Sequence, residues 1–162
     1  MKAWICFALF SLVATKALAD PAADVKAHSD AFARAMAARD VAAVVALYAD
    51  DARVIWPGQG EEAKGKAEIT KLVTDSLKAS PDSTPVLKSQ EIVPLGGGYT
   101  AVLGQWEQAV KGPKGESETL HVRTSEIIRK VGNKTLYVVD HASIGVPPAP
   151  AADAGGKAPA SP

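Results

Sequence analysis

Cysteine is almost absent from this chain. Cys6 is the single one, and it lies close to the N-terminus. If the apolar run there is a cleaved leader, the mature protein can form no internal disulfide and has no thiol nucleophile. Cys6 comes at the start of the apolar run rather than ending it, so it does not read as a lipid-attachment cysteine. Charge of one sign is missing as well, since 18 Lys and Arg balance 18 Asp and Glu. Such a surface gives no electrostatic case for nucleic acid or an anionic membrane, and neither is expected as a partner. The three histidines, at 28, 121 and 141, form neither His-x-His nor His-x-x-x-His. Ser11 and Ser29 have no Gly-x-Ser-x-Gly setting, and Gly96-Gly97-Gly98 is not followed by a helix pattern. These gaps argue against a resident metal, a nucleophile elbow and a phosphate loop, so no cofactor is expected.

Both ends of the chain read as lying outside the fold. Lys2, the apolar Ala3–Ala14 and the small-x-small Ala17-Leu18-Ala19 make residues 1–19 a secretory signal peptide, with cleavage before Asp20. The 12-residue run is too short to cross a bilayer, which needs about 20 residues. The protein is therefore expected in the periplasm or outside the cell. Losing Lys2 and Lys16 would leave 16 basic residues against 18 acidic ones, a net charge of −2. From Pro147 to Pro162, 13 of 16 residues are Ala, Pro or Gly. A segment so poor in bulky apolar side chains cannot offset its ordering entropy and reads as a disordered tail. Residues 20–146 remain, the size of one domain with one core.

Within that domain, helices come first and strands follow. Asp20 caps a helix with Pro21 in its first turn, and Val25, His28, Phe32, Ala35 and Met36 recur at helical spacing. Asp40 caps a second helix that closes on Leu47-Tyr48, with Tyr48 packing at its end and its hydroxyl in water. An Ala49-Asp50-Asp51 turn and a short strand, Ala52–Trp56, come next. A third helix follows Gly65 and stops before Pro81. Beyond Pro81 the runs 84–94, 99–111, 116–130 and 135–145 are β-rich and separated by glycine-bearing reversals, which argues an antiparallel meander. The class is α+β. Runs this long must bend, with Gly104 as a candidate bend point.

The Asp40–Ile69 stretch, DVAAVVALYADDARVIWPGQGEEAKGKAEI, resembles the ketosteroid-isomerase-like (nuclear-transport-factor-2-like) superfamily. His121–Lys130, HVRTSEIIRK, and Leu136–Ser143, LYVVDHAS, resemble the last two strands of a SnoaL-like domain. The same ending is similar to the association domain of calcium/calmodulin-dependent protein kinase II. The resemblance spans nearly all of residues 20–145. It implies a curved antiparallel sheet and three helices forming a cone around an internal pocket, and a homodimer joined through the sheet. Aligned with the isomerase by eye, its catalytic tyrosine falls at Phe32, its base at Trp56 and its oxyanion-stabilising acid at or near Ser125. None of those side chains performs the required proton transfer well, which argues against steroid isomerisation.

Alternation along strands groups His121, Arg123 and Ser125 on one face, and likewise Tyr137, Val139, His141 and Ser143. If these sets and Trp106 face inward, the ligand-binding residues are Trp56, Trp106, His121, Arg123, Tyr137 and His141. Arg123 and His121 could clamp a carboxylate. The plainer alternative makes them surface residues paired with an acid such as Glu107 or Glu118. Asp140 then points outward, toward a dimer partner. Three functions stay open: a carrier of a small, partly apolar molecule; an enzyme moving a proton or water on a carbonyl compound, with His121 or His141 as base and Arg123 stabilising charge; and an assembly module with a vestigial pocket.

Overall fold

The computed structural model describes residues 20–57, 62–112 and 115–145. The expected leader and tail lie outside the described residues. Helix α1 spans Pro21–Ala37, and the Asp20 carboxylate accepts from the Ala22 amide at 3.0 Å. Helix α2 spans Val41–Ala46, where the Asp40 carboxylate accepts from the Ala43 amide at 2.9 Å. Both caps satisfy amides that the first helical turn leaves without partners. Helix α3 spans Gly65–Ala79 and is capped differently. The Glu68 carboxylate reaches back to the Lys64 amide at 2.8 Å. Gly65 enters with a φ of 69°, and a Cβ there would lie 3.0 Å from the Asp50 carbonyl oxygen.

Six strands form one sheet in the order β2-β1-β6-β5-β4-β3. They are β1 (Tyr48–Ile55), β2 (Glu62–Lys64), β3 (Pro85–Gly96), β4 (Tyr99–Lys111), β5 (Ser117–Val131) and β6 (Lys134–Ile144). The last four form the expected meander. The sheet as a whole is curved and mixed rather than wholly antiparallel, because β1 pairs in parallel with β6. The short strand β2 forms a hairpin edge that the sequence pattern did not reveal. The expected turn at Ala49-Asp50-Asp51 is a bulge inside β1. Tyr48 already pairs with Tyr137, and Arg53 resumes the ladder against Val139. A bulge absorbs unpaired residues without ending a strand, so a polar Asp-Asp pair there imitates a turn.

The three helices cover the concave face of the sheet. α1 packs toward β3 and β6, while α3 packs on β1. Their apolar stripes supply Val25, Val44, Ile69 and Val73, each at most 2% exposed, against Val54, Val102 and Ile128 of the sheet. Burying a branched aliphatic side chain of this kind stabilises by about 1.5–3 kcal/mol. A smaller cluster around Trp106, Val122 and Ala142 lies further out. The space between these two apolar regions is where the cone stays hollow.

Candidate functional site

Strand alternation places Val102, Gly104 and Trp106 of β4 and Val122, Glu126 and Ile128 of β5 on the concave, buried side. On β6 the alternation breaks. Ile128 pairs with Tyr137 and Ile127 with Val139, so Val138 is an extra, bulged residue. This insertion shifts the phase of everything after it. Tyr137 faces inward, and so do Asp140 and Ala142, each at most 8% exposed.

The result is a cavity of about 470 Å³, within the ordinary range for a small-molecule site. Phe32, Trp56, Trp106, Tyr137, Glu126 and Asp140 define its character. Phe32 is the hub of the aromatic wall. Its ring centroid lies 6.0 Å from that of Trp56, 5.8 Å from Trp106 and 6.1 Å from Tyr137, all edge to face. Gly104 makes this arrangement possible, because a Cβ there would come within 2.3 Å of the Thr124 hydroxyl and 2.8 Å of the Trp106 indole nitrogen. The Trp106 N–H is buried and has no hydrogen-bond partner.

The polar floor of the cavity is a pair of acids. Glu126 and Asp140 stand directly opposite each other on β5 and β6 and are each 4% exposed. Directly opposed side chains on one face of an antiparallel pair are contact neighbours. One Asp140 carboxylate oxygen accepts from the Tyr48 hydroxyl at 2.6 Å and from the Trp56 indole N–H at 2.9 Å. Burial raises the Asp140 carboxyl above its ordinary range, while its two donors act the other way by favouring the ion. Burial, and then the Asp140 charge, push Glu126 up to about 8. Glu126 therefore keeps its proton at neutral pH. Burial also raises the Tyr48 and Tyr137 phenols, which stay protonated.

Of the residues expected to bind ligand, Trp56, Trp106 and Tyr137 line the cavity. His121, Arg123 and His141 do not line it. The buried β5 residues are Val122, Glu126 and Ile128, and alternation sends 121, 123 and 125 to the convex face. The His121 imidazole Nδ1 lies 3.9 Å from a Glu107 carboxylate oxygen, which is the plainer pairing considered from sequence. His141 is exposed and pairs across the ladders with Ser125 and Ile55. The Val138 bulge explains this correction, since it puts His141 out of phase with Tyr137. It also reverses the expectation for Asp140, which faces the cavity. Tyr48 is likewise corrected: it is fully buried, and its hydroxyl holds Asp140 instead of meeting water.

Glu126 was missed as a site residue although a signal was present. The isomerase acid aligned at or near Ser125, and the inward-facing residue next to Ser125 is Glu126. His28, on the apolar stripe of α1, packs edge-on to Tyr137 with ring centroids 4.2 Å apart. Its Nε2 is buried without a partner, and burial lowers its pKa to about 4.

A family model described as the SnoaL-like domain matches residues 29–134. No curated protein sequence matches the chain. Among solved structures, a ketosteroid isomerase-like protein from Erwinia carotovora atroseptica superposes with a TM-score of 0.67 at 21% identity, over 80% of this chain and 100% of its own. A candidate calcium/calmodulin-dependent protein kinase II association domain from Xanthomonas campestris gives 0.68 at 19% identity, over 78% of this chain and 89% of its own. The hexachlorocyclohexane dehydrochlorinase LinA-type3 from Novosphingobium barchaimii gives 0.68 at 11% identity, over 77% and 86%. At such identities the likeness is one of fold.

Proposed function

The chain belongs to the SnoaL-like domain family, and on that premise we propose that it binds a small, predominantly apolar molecule inside the cone. The supporting observation is the cavity itself. Phe32 packs against both Trp56 and Trp106 along its wall, and about 470 Å³ stays open. An assembly module with a vestigial pocket would have that space filled. The ligand's apolar body lies against the rings, and its polar group meets the Glu126–Asp140 pair.

Native mass spectrometry of protein purified from its own source tests this reading. The expected result is a co-purifying small-molecule adduct that is lost in Ala142→Phe, which fills the cavity beside Trp106. An adduct that survives in that variant, while the variant keeps its cooperative unfolding, would place the ligand elsewhere.

A second reading, an enzyme that moves a proton, is favoured by one specific observation. Two buried acids, both with proton affinity raised by burial, face the same apolar space, as general acid–base chemistry requires. In this reading Asp140 accepts a proton and Glu126 donates one. The histidine-based version loses its base, because His121 and His141 lie on the convex face.

Export and pairing complete the proposal. The secreted protein begins at Asp20, which N-terminal sequencing of mature material checks. Two copies join through the convex sheet face, where Ile55, Leu103 and Val139 are 39%, 47% and 37% exposed. Sedimentation showing monomer alone at micromolar concentration would contradict the pairing.

A further inference from the structure

The cavity is lopsided in charge. Among the described residues, two acids line it and no Lys, Arg or His does. A buried ion is normally paired with an opposite charge, because an uncompensated one costs several kcal/mol. Asp140 has two hydrogen-bond donors, but both are neutral. When Asp140 is ionised, no Lys, Arg or His among the described residues of the cavity wall balances it.

The walls point the same way. Aromatic faces attract cations through their quadrupole, most strongly Trp and then Tyr and Phe. Two indoles, a phenol and a phenyl ring line the same cavity as the acid pair. Phe32 meets Trp56, Trp106 and Tyr137 edge to face at 71–87°, so it is stacked on none of them. Trp106, itself 5% exposed, adds its indole to that aromatic lining.

We propose that the ligand is a small organic ammonium ion with an apolar body, its charge held by the Asp140–Glu126 pair within the aromatic lining of the cavity. This rests on the reading of the cavity as a ligand site and adds its charge class. A bound cation favours the ionised form of Glu126, so binding near neutral pH displaces that proton to solvent.

Three probes of nearly one shape separate the possibilities. They are benzyl(hydroxyethyl)dimethylammonium, the neutral alcohol in which carbon replaces its nitrogen, and the carboxylate formed by oxidising that alcohol. Titration followed by tryptophan fluorescence reads Trp56 and Trp106 directly, and calorimetry in buffers of different ionisation enthalpy reads proton release. The cation is expected to bind about ten-fold or more tighter than the neutral isostere. It should release a proton from the wild type and none from Glu126→Gln. Asp140→Asn should remove most of the preference for the cation while leaving the neutral isostere within about two-fold, and its urea melt verifies the fold. If the neutral alcohol binds as tightly as the cation, the charge assignment is overturned while the cavity remains a ligand site. If the carboxylate binds best, the assignment is overturned in the opposite sense. If none of the three binds the folded protein, the charge assignment and the reading beneath it fall together.

Discussion

The two faces of the central strands make opposite use of adjacent residues. On β5, His121, Arg123 and Ser125 carry the side chains that attract attention in a sequence, and all three sit on the convex face. Their immediate neighbours Val122 and Glu126 face the cavity, where a single carboxyl outweighs them chemically because burial changes its proton affinity. A polar group in water interacts weakly with what lies nearby. The same group at 4% exposure acts at nearly full strength, for benefit or cost. In this sheet, burial matters more than residue type in marking a functional candidate.

The sharpest test of that contrast uses two adjacent isoleucines. Ile128 is 2% exposed on the concave face, and Ile128→Ala should cost about 3 kcal/mol in urea unfolding. Ile127 lies on the convex face, and Ile127→Ala should cost no more than ~1 kcal/mol in the monomer. Equal costs would mean that the convex face is buried too, as the proposed pairing requires at higher protein concentration.

Gly104→Ala should cost about 2 kcal/mol, because the new Cβ meets the Thr124 hydroxyl and the Trp106 indole, neither of which can move freely. Unchanged stability would show that the aromatic wall yields easily.

Two buried groups on the concave side should give pH dependences of opposite sign. His28 titrates near 4 in the fold and near 6.5 when unfolded, so the unfolded chain binds its proton first. Its contribution is complete above 6.5 and is lost as pH falls toward 4, at up to about 1.4 kcal/mol per pH unit. His28→Phe should flatten that acid limb. Glu126 behaves in reverse, since its folded pKa, about 8, lies above the ordinary 4.5. Its contribution is complete below 4.5 and is lost as pH rises through 8. Glu126→Gln should therefore stabilise the protein at alkaline pH, by about 2 kcal/mol. Alkaline unfolding curves identical for variant and wild type would show that Glu126 is not buried as described.

The smallest effects belong to the convex face. His121→Ala and His141→Ala should each shift stability by no more than ~0.5 kcal/mol and leave binding of any cavity ligand unchanged. A larger loss of binding from either would move the site to the other side of the sheet.

Much of the fold was legible from local chemistry. The Asp20 and Asp40 caps, the helical stripes and the glycine-bearing reversals between long β runs each act over a few residues, and they gave the three helices and the meander. β2 was not legible, since three residues carry too little pattern to register. The parallel pairing of β1 with β6 joins segments about 90 residues apart and depends on contacts that no local signal encodes.

The candidate site divided along the same line. Trp56, Trp106 and Tyr137 could be placed in the pocket because large aromatics on strands are usually buried. His121, Arg123, His141 and Asp140 could not be placed, because their faces depend on register. Counting by twos along β6 assumes an unbroken ladder, and the Val138 bulge breaks it between Tyr137 and Asp140.

The order of residues by itself determined the helices, most of the strands and the apolar character of the interior, since each follows from short-range periodicity and capping, and its motifs carried the family resemblance. Tertiary structure alone decided which face each strand residue occupies. One inserted residue reverses the face of all that follow, and its energy comes from packing against the neighbouring strand. The acid pair exists as a pair because β5 and β6 meet in this register, with Tyr48 and Trp56 brought from a distant part of the chain to hold it.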